Sequence, residues 1–290
     1  MAVTHPHPAP LLRRGQRGIS RALLISRVGW HARRAPRDHR VGWERYWRGV
    51  RRTGVGGDVL WDSGDLDEVP TYLALMRAHL DMTLPIVDLG CGNGRFTRRL
   101  STSFPRAVGV DLSENAVALA AREASGIPGL TFRAVDGTAP DAANTLRAEL
   151  GADANVFVRG VFHVLDQPGR VALAQTLPHV VGSRGRVFLA ETNFRGSQLG
   201  YLEHLGATPR SIPQPLRRAI QDLPRPGHFG EHERAASFPA AAWSLILDGP
   251  TPIQTIPLRG TTQPELIPGY FAIMAPRNDR PTTAVTEVQE

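Results

Sequence analysis

The chain has 290 residues, 41% of them hydrophobic, one Cys and a formal net charge of +7. That length and apolar content allow one large domain with an appendage. A single thiol excludes an intrachain disulfide framework and fits a cytoplasmic location, and no stretch of 18 uncharged apolar residues is present to span a bilayer.

The charge is local. Residues 13–52 hold 13 Arg against Asp38 and Glu44, a net of +11, so the remainder carries −4 (7 − 11). That distribution argues against a nucleic-acid-binding body. Residues 1–40 read as a basic arm with a Pro/His-containing, disordered start. Residues 19–34 have the pattern of a basic amphipathic helix. Three roles are open to it: packing on its own domain or on a second subunit, lying on a membrane surface, or touching nucleic acid. Within the body, taken as residues 41–276, a helix over 69–79 leads into the first strand.

From Ile86 the pattern alternates. Strands are expected at 86–89, 107–110, 130–135, 155–159 and 186–190, and helices at 95–103, 114–124, 142–150 and 169–181. Such alternation predicts a parallel sheet with right-handed crossovers. Residues 192–239 break the rhythm with Pro209, Pro213, Pro215, Pro224 and Pro226 and short helical pieces near 199–205 and 216–223, so they read as a lid or interaction insert. Apolar runs at 243–247 and 270–274 suit the last two strands. Residues 277–290 read as a polar, disordered tail.

The first strand ends in Asp88-Leu89-Gly90-Cys91-Gly92-Asn93-Gly94. Glycine at every second position lets the backbone turn sharply and a ligand lie against it. The helix that follows offers unpaired N–H groups. A dinucleotide fingerprint needs a further Gly where Arg95 stands, and an acid before the loop sits badly with a pyrophosphate. Asp111 and Asp136 close the second and third strands.

This loop resembles the first motif of class I S-adenosylmethionine (AdoMet)-dependent methyltransferases. The resemblance implies an α/β, Rossmann-like, seven-stranded doubly wound sheet of order 3-2-1-4-5-7-6 with the last strand antiparallel, an N-terminal helical extension and a lid insert between strands five and six. It implies AdoMet on the loop Gly90–Gly94 including Cys91 and Asn93, with Asp88 toward the methionine amino group. Asp111 would meet the ribose, Asp136 with Gly137 the adenine, and Arg159 the reactive end, with Leu112 a further cofactor contact. Trp47 and Trp61 resemble the aromatics that close over the methionine end in thiopurine-type relatives.

Methyl transfer from a sulfonium is in-line displacement, so the protein mainly supplies position and a dry pocket. A base is needed only for a protonated nucleophile. His163, just past strand four, is the candidate. Arg159 would bind an anionic substrate or pair with Glu191, while Glu191, Tyr201 and His204 are candidate substrate contacts. His228 and His232 lack further ligands at metal-site spacing, so no metal is expected. Asn-Pro-Pro-Tyr, used on exocyclic amines of nucleic-acid bases, is absent after strand four. The expected acceptor is a small molecule, a bacterial secondary metabolite or lipid-like compound. The alternatives are a membrane-surface lipid or quinone methyltransferase and a binding or assembly protein without turnover. Peripheral membrane contact and homo-oligomerisation remain open.

Overall fold

The computed structural model describes residues 10–63, 68–258 and 264–277. The expected disordered start, apart from Pro10, and the tail beyond Arg277 lie outside them. Pro10 itself opens a helix, and the Arg277 amide donates to the Ala242 carbonyl.

Five strands run parallel: β1 (Ile86–Leu89), β2 (Ala107–Asp111), β3 (Leu130–Ala134), β4 (Asn155–Arg159) and β5 (Val187–Thr192). A sixth, β6 (Trp243–Thr255), pairs with β7 (Glu265–Pro276), which lies antiparallel between β5 and β6. The order is β3-β2-β1-β4-β5-β7-β6, as expected. Every residue of β1, β2 and β5 is buried, the mark of a sheet covered on both faces.

Helices α4 (Arg95–Leu100), α5 (Glu114–Glu123), α6 (Ala142–Leu150) and α7 (Gln167–Val181) supply the crossovers. Val87, Val108, Val156 and Leu177 fill one side of the sheet. Ile86, Phe157, Phe188 and Tyr72 fill the other, and the Tyr72 and Phe188 rings sit 5.2 Å apart. Such a pair adds about 0.5–1.5 kcal/mol beyond its buried area.

The last two strands are longer than the sequence pattern predicts. β6 continues through Pro250 and Pro252 because it is the sheet's edge, where a missing N–H costs no ladder bond. A third insert helix was also not expected. After α8 (Gln198–His204) and α9 (Gln214–Asp222) comes α10 (Glu231–Ser237), whose Glu233 carboxylate accepts the Gly230 amide at 3.0 Å.

Three helices precede the sheet: α1 (Pro10–Ala32), α2 (His39–Arg48) and α3 (Val69–His79). Helix α1 packs on the insert, with Leu24 buried in one cluster with Leu205 and Leu216. Arg27 Nη1 donates to the carbonyls of Pro209 and Arg210 at 3.1 and 2.8 Å. Gly42 lets α2 press on the end of α9, since a Cβ there would stand 2.5 Å from the Asp222 carbonyl oxygen.

Candidate functional site

Three left-handed glycines shape the loop between β1 and α4: Gly90 at φ 81°, Gly92 at 55° and Gly94 at 71°. Residues with a Cβ rarely hold that conformation. Space imposes the same choice at Gly92, where a Cβ would stand 2.7 Å from the Trp47 ring.

Asp88 is buried beneath the loop and accepts Thr97 Oγ1 at 2.6 Å. Burial raises its carboxyl to about 7, and the neighbouring Asp111 adds to the rise. Asp111 accepts the amides of Gly92 and Ser113, both at 2.9 Å. Those bonds favour its charge, yet burial still raises it to about 6. Each Asp111 oxygen retains acceptor capacity beyond its one amide. Burial pushes the Cys91 thiol well up, consistent with a small loop residue rather than a nucleophile.

A cavity of about 720 Å³ opens along the carboxyl ends of β1 to β4, where open α/β sheets bind their ligands. Gly90, Gly92, Asp111, Leu112, Asp136 and Gly137 line it. Trp47, Trp61, Arg159, His163 and Tyr201 do so too. Asp88, Cys91, Asn93, Gly94, Glu191 and His204 are not on its wall. Asp136 Oδ1 accepts the amide and hydroxyl of Thr138 at 2.9 and 2.6 Å.

Glu191 was expected to face the site. It is instead fully buried behind His163. Its carboxylate accepts the amides of Val161 and Phe162 at 2.9 Å and of His163 at 3.2 Å. It also bonds His163 Nδ1 at 2.8 Å. A carboxylate can only accept, so that nitrogen carries the proton, and Nε2 is left without a partner among the described residues.

The expected Arg159–Glu191 pair does not form. Arg159 bonds Glu68 Oε1 through Nε at 2.6 Å and through Nη2 at 2.5 Å, and Nη2 also reaches the Gln254 carbonyl at 3.0 Å. Burial opposes its charge, but Glu68 holds its pKa above the usual value. Glu191 is already committed to the turn after β4. His204 Nε2 meets the Leu266 carbonyl at 2.8 Å. His228 pairs with Glu233 at 3.1 Å, and the described residues hold no cluster suited to a metal.

The sequence reading missed several residues. Asp62 accepts Asn93 Nδ2 and the Gly54 amide, both at 2.8 Å, and pairs with Arg95 at 3.1 Å. It thereby fixes the outer side of the glycine loop. Glu44 accepts the amides of Glu114 and Asn115 and so ties α2 to the start of α5. Ile25 and Val28 of α1 line the cavity. Only Asp62, directly after Trp61, left a trace that sequence could have used.

These residues fit the cofactor that the resemblance implies. The glycine cradle has no room for side chains, Asp111 retains acceptor capacity toward a diol, and Trp47 Nε1 is buried without a partner among the described residues.

A family model described as "Methyltransferase domain" matches residues 86–185. No curated protein matches the chain. Among solved structures, a SAM-dependent methyltransferase from Anabaena variabilis is 26% identical, covering 84% of this chain and 97% of that one, with a TM-score of 0.72. The N-methyltransferase NodS from Bradyrhizobium japonicum, solved with S-adenosyl-L-homocysteine, is 12% identical over 83% of this chain and all of that one, with a TM-score of 0.50. A structure from work on converting a disulfide bond into a thioacetal group during echinomycin biosynthesis is 20% identical, over 74% and 84%, with a TM-score of 0.56. The last two share the fold.

Proposed function

We propose that the chain, whose residues 86–185 match a methyltransferase domain model, acts as a class I AdoMet-dependent methyltransferase and methylates a hydroxyl group of a small, largely apolar molecule. The observation that carries this reading is His163 on the cavity wall with Nδ1 held by the buried Glu191. An imidazole so fixed presents an unprotonated Nε2. A protonated nucleophile needs such a base, whereas a neutral amine needs none to attack.

Asp111 would receive the ribose hydroxyls, Asp136 and Leu112 the adenine side, and the Gly90–Gly92 turn with Trp47 the methionine side. When bound, the sulfonium supplies an electrophilic methyl group and a good leaving group. Leu199, Leu202, Leu216 and Ile220 line the acceptor side and keep water from the reacting atoms. His163 Nε2 takes the hydroxyl proton as the new O–C bond forms. Glu191 keeps the ring oriented and stabilises the imidazolium.

The test is transfer of a labelled methyl group to a panel of apolar phenols, alcohols and amines. Hydroxyl acceptors should be labelled, and His163→Gln should lower kcat by roughly 10²–10⁴ with little change in KM. Undiminished turnover in that variant, or amines as the preferred acceptors, would overturn the base assignment.

One observation favours a membrane-surface setting for the same chemistry. Helix α1 exposes Leu23 (58%) and Trp30 (52%) beside Arg33 and Arg34, a composition suited to an anionic bilayer. The full chain should co-sediment with vesicles rich in phosphatidylglycerol, and Leu23→Glu/Trp30→Glu should release it while leaving the Leu24 contact intact. Equal sedimentation of both proteins, or a dimer in solution that the same change dissolves, would refute it.

A further inference from the structure

The acceptor's cavity has a cationic mouth that the transfer step leaves unused. Most arginines, histidines and acids on the cavity wall already have partners. Arg159 is held by Glu68, His163 by Glu191 and His228 by Glu233. The acids are engaged as well: Asp111 by Gly92 and Ser113, Asp136 by Thr138, and Asp166 by the Gly169 amide at 3.0 Å. Arg40, Arg225 and His39 also line the cavity. Among the described residues, no side-chain partner is found for any of the three.

Their placement is not what stability would select. His39 and Arg40 stand in the first turn of α2, where the only nearby acid, the capping Asp38, is spent on the backbone amides of Arg40 and Val41 at 2.8 and 3.3 Å. There the helix dipole disfavours cations. Arg225 is exposed yet restrained. It lies between Pro224 and Pro226, whose rings fix φ, and the Gly227 amide two residues on donates to the His163 carbonyl at 2.8 Å. His39 and Arg225 also line a second hollow of about 400 Å³, shared with His163 and Leu165. Two arginines without side-chain partners among the described residues, with His39 beside Arg40, therefore line the same space as the proposed base.

We propose that Arg40 and Arg225, with His39, hold an acidic group of the acceptor, a carboxylate or phosphate ester, while its apolar body fills the cavity. The acceptor is then an anionic amphiphile that carries a separate hydroxyl for methylation. The inference rests on the apolar-acceptor reading above. Guanidinium suits such a group because its donors match two oxygens at once.

The test uses the full chain saturated with S-adenosylhomocysteine and two fluorescent probes, each kept below its aggregation concentration. One is a dansyl-tagged medium-chain fatty acid, the other its neutral alcohol counterpart. The acid should bind at least about tenfold more tightly, as expected for a hydrogen bond to a charged group. Arg40→Gln/Arg225→Gln should remove that difference and leave the alcohol's affinity unchanged. If the alcohol binds and the acid gains nothing, the cationic mouth has no such role and the apolar acceptor stands. If neither probe binds, both readings fall. A double variant that loses affinity for S-adenosylhomocysteine would reassign the two arginines to the cofactor and overturn the proposal.

Discussion

Two buried carboxylates, Asp88 and Asp111, set the electrostatics beneath the glycine loop. Asp88 is raised from 3.8 to about 7 and Asp111 from 3.8 to about 6, burial being the leading cause in both. Across that window the folded chain keeps protons that the unfolded chain has released. The contribution of these two groups to stability therefore falls as pH rises from about 4 to about 7. Thermal melts of the ligand-free protein should show this slope. Asp88→Asn, which can still accept from Thr97, should flatten it; an unchanged slope would contradict the assignment. The acids at the strand ends were legible because the turn chemistry repeats there. The partner of Arg159 was not. Glu68 precedes α3, far from Arg159 in sequence, and no local pattern links a strand-end cation to a helix-start acid. Glu191 looked like a substrate contact because it ends β5. Its real engagement, with the amides after β4, depends on strand adjacency that only the fold supplies.

At the scale of elements, α2 is fastened to the glycine loop. Trp47 covers Gly92, Glu44 binds the start of α5, and Arg45 pairs with Asp222 at 2.7 Å. Gly92→Ala combines a left-handed conformation with a clash against Trp47, for a cost of about 1–3 kcal/mol. Chemical denaturation should show that loss, and pairing it with Trp47→Leu should recover part of it; full additivity of the two changes would disprove the contact. Most strands and crossover helices were legible because the central strands β1, β2 and β5 are buried on both faces and so read as largely apolar runs. β6 was underestimated because prolines usually end strands, and only its edge position makes them tolerable. α10 escaped notice because, with no Ser, Thr, Asn or Asp to cap it, it starts at Gly230.

Across the whole molecule, the arm and the insert close over one edge of the sheet. Leu24, Arg27 and His31 of α1 meet residues of the insert, the last through Gln221 Nε2 at 2.8 Å. Partners so far apart in the chain leave no periodic signature, so the sequence kept three roles open for the arm. The closure turns a common cofactor platform into an apolar chamber with a basic mouth. Everything proposed about the acceptor depends on that chamber also holding the cofactor with its ribose on Asp111. Calorimetric titration of S-adenosylhomocysteine into the wild-type chain and into Asp111→Ala tests this most directly. Losing hydrogen bonds to a charged acceptor costs about 1.5–3 kcal/mol, so the variant should bind at least about tenfold more weakly. Equal affinity in the two proteins, or no binding to the wild type, would contradict the placement of the cofactor.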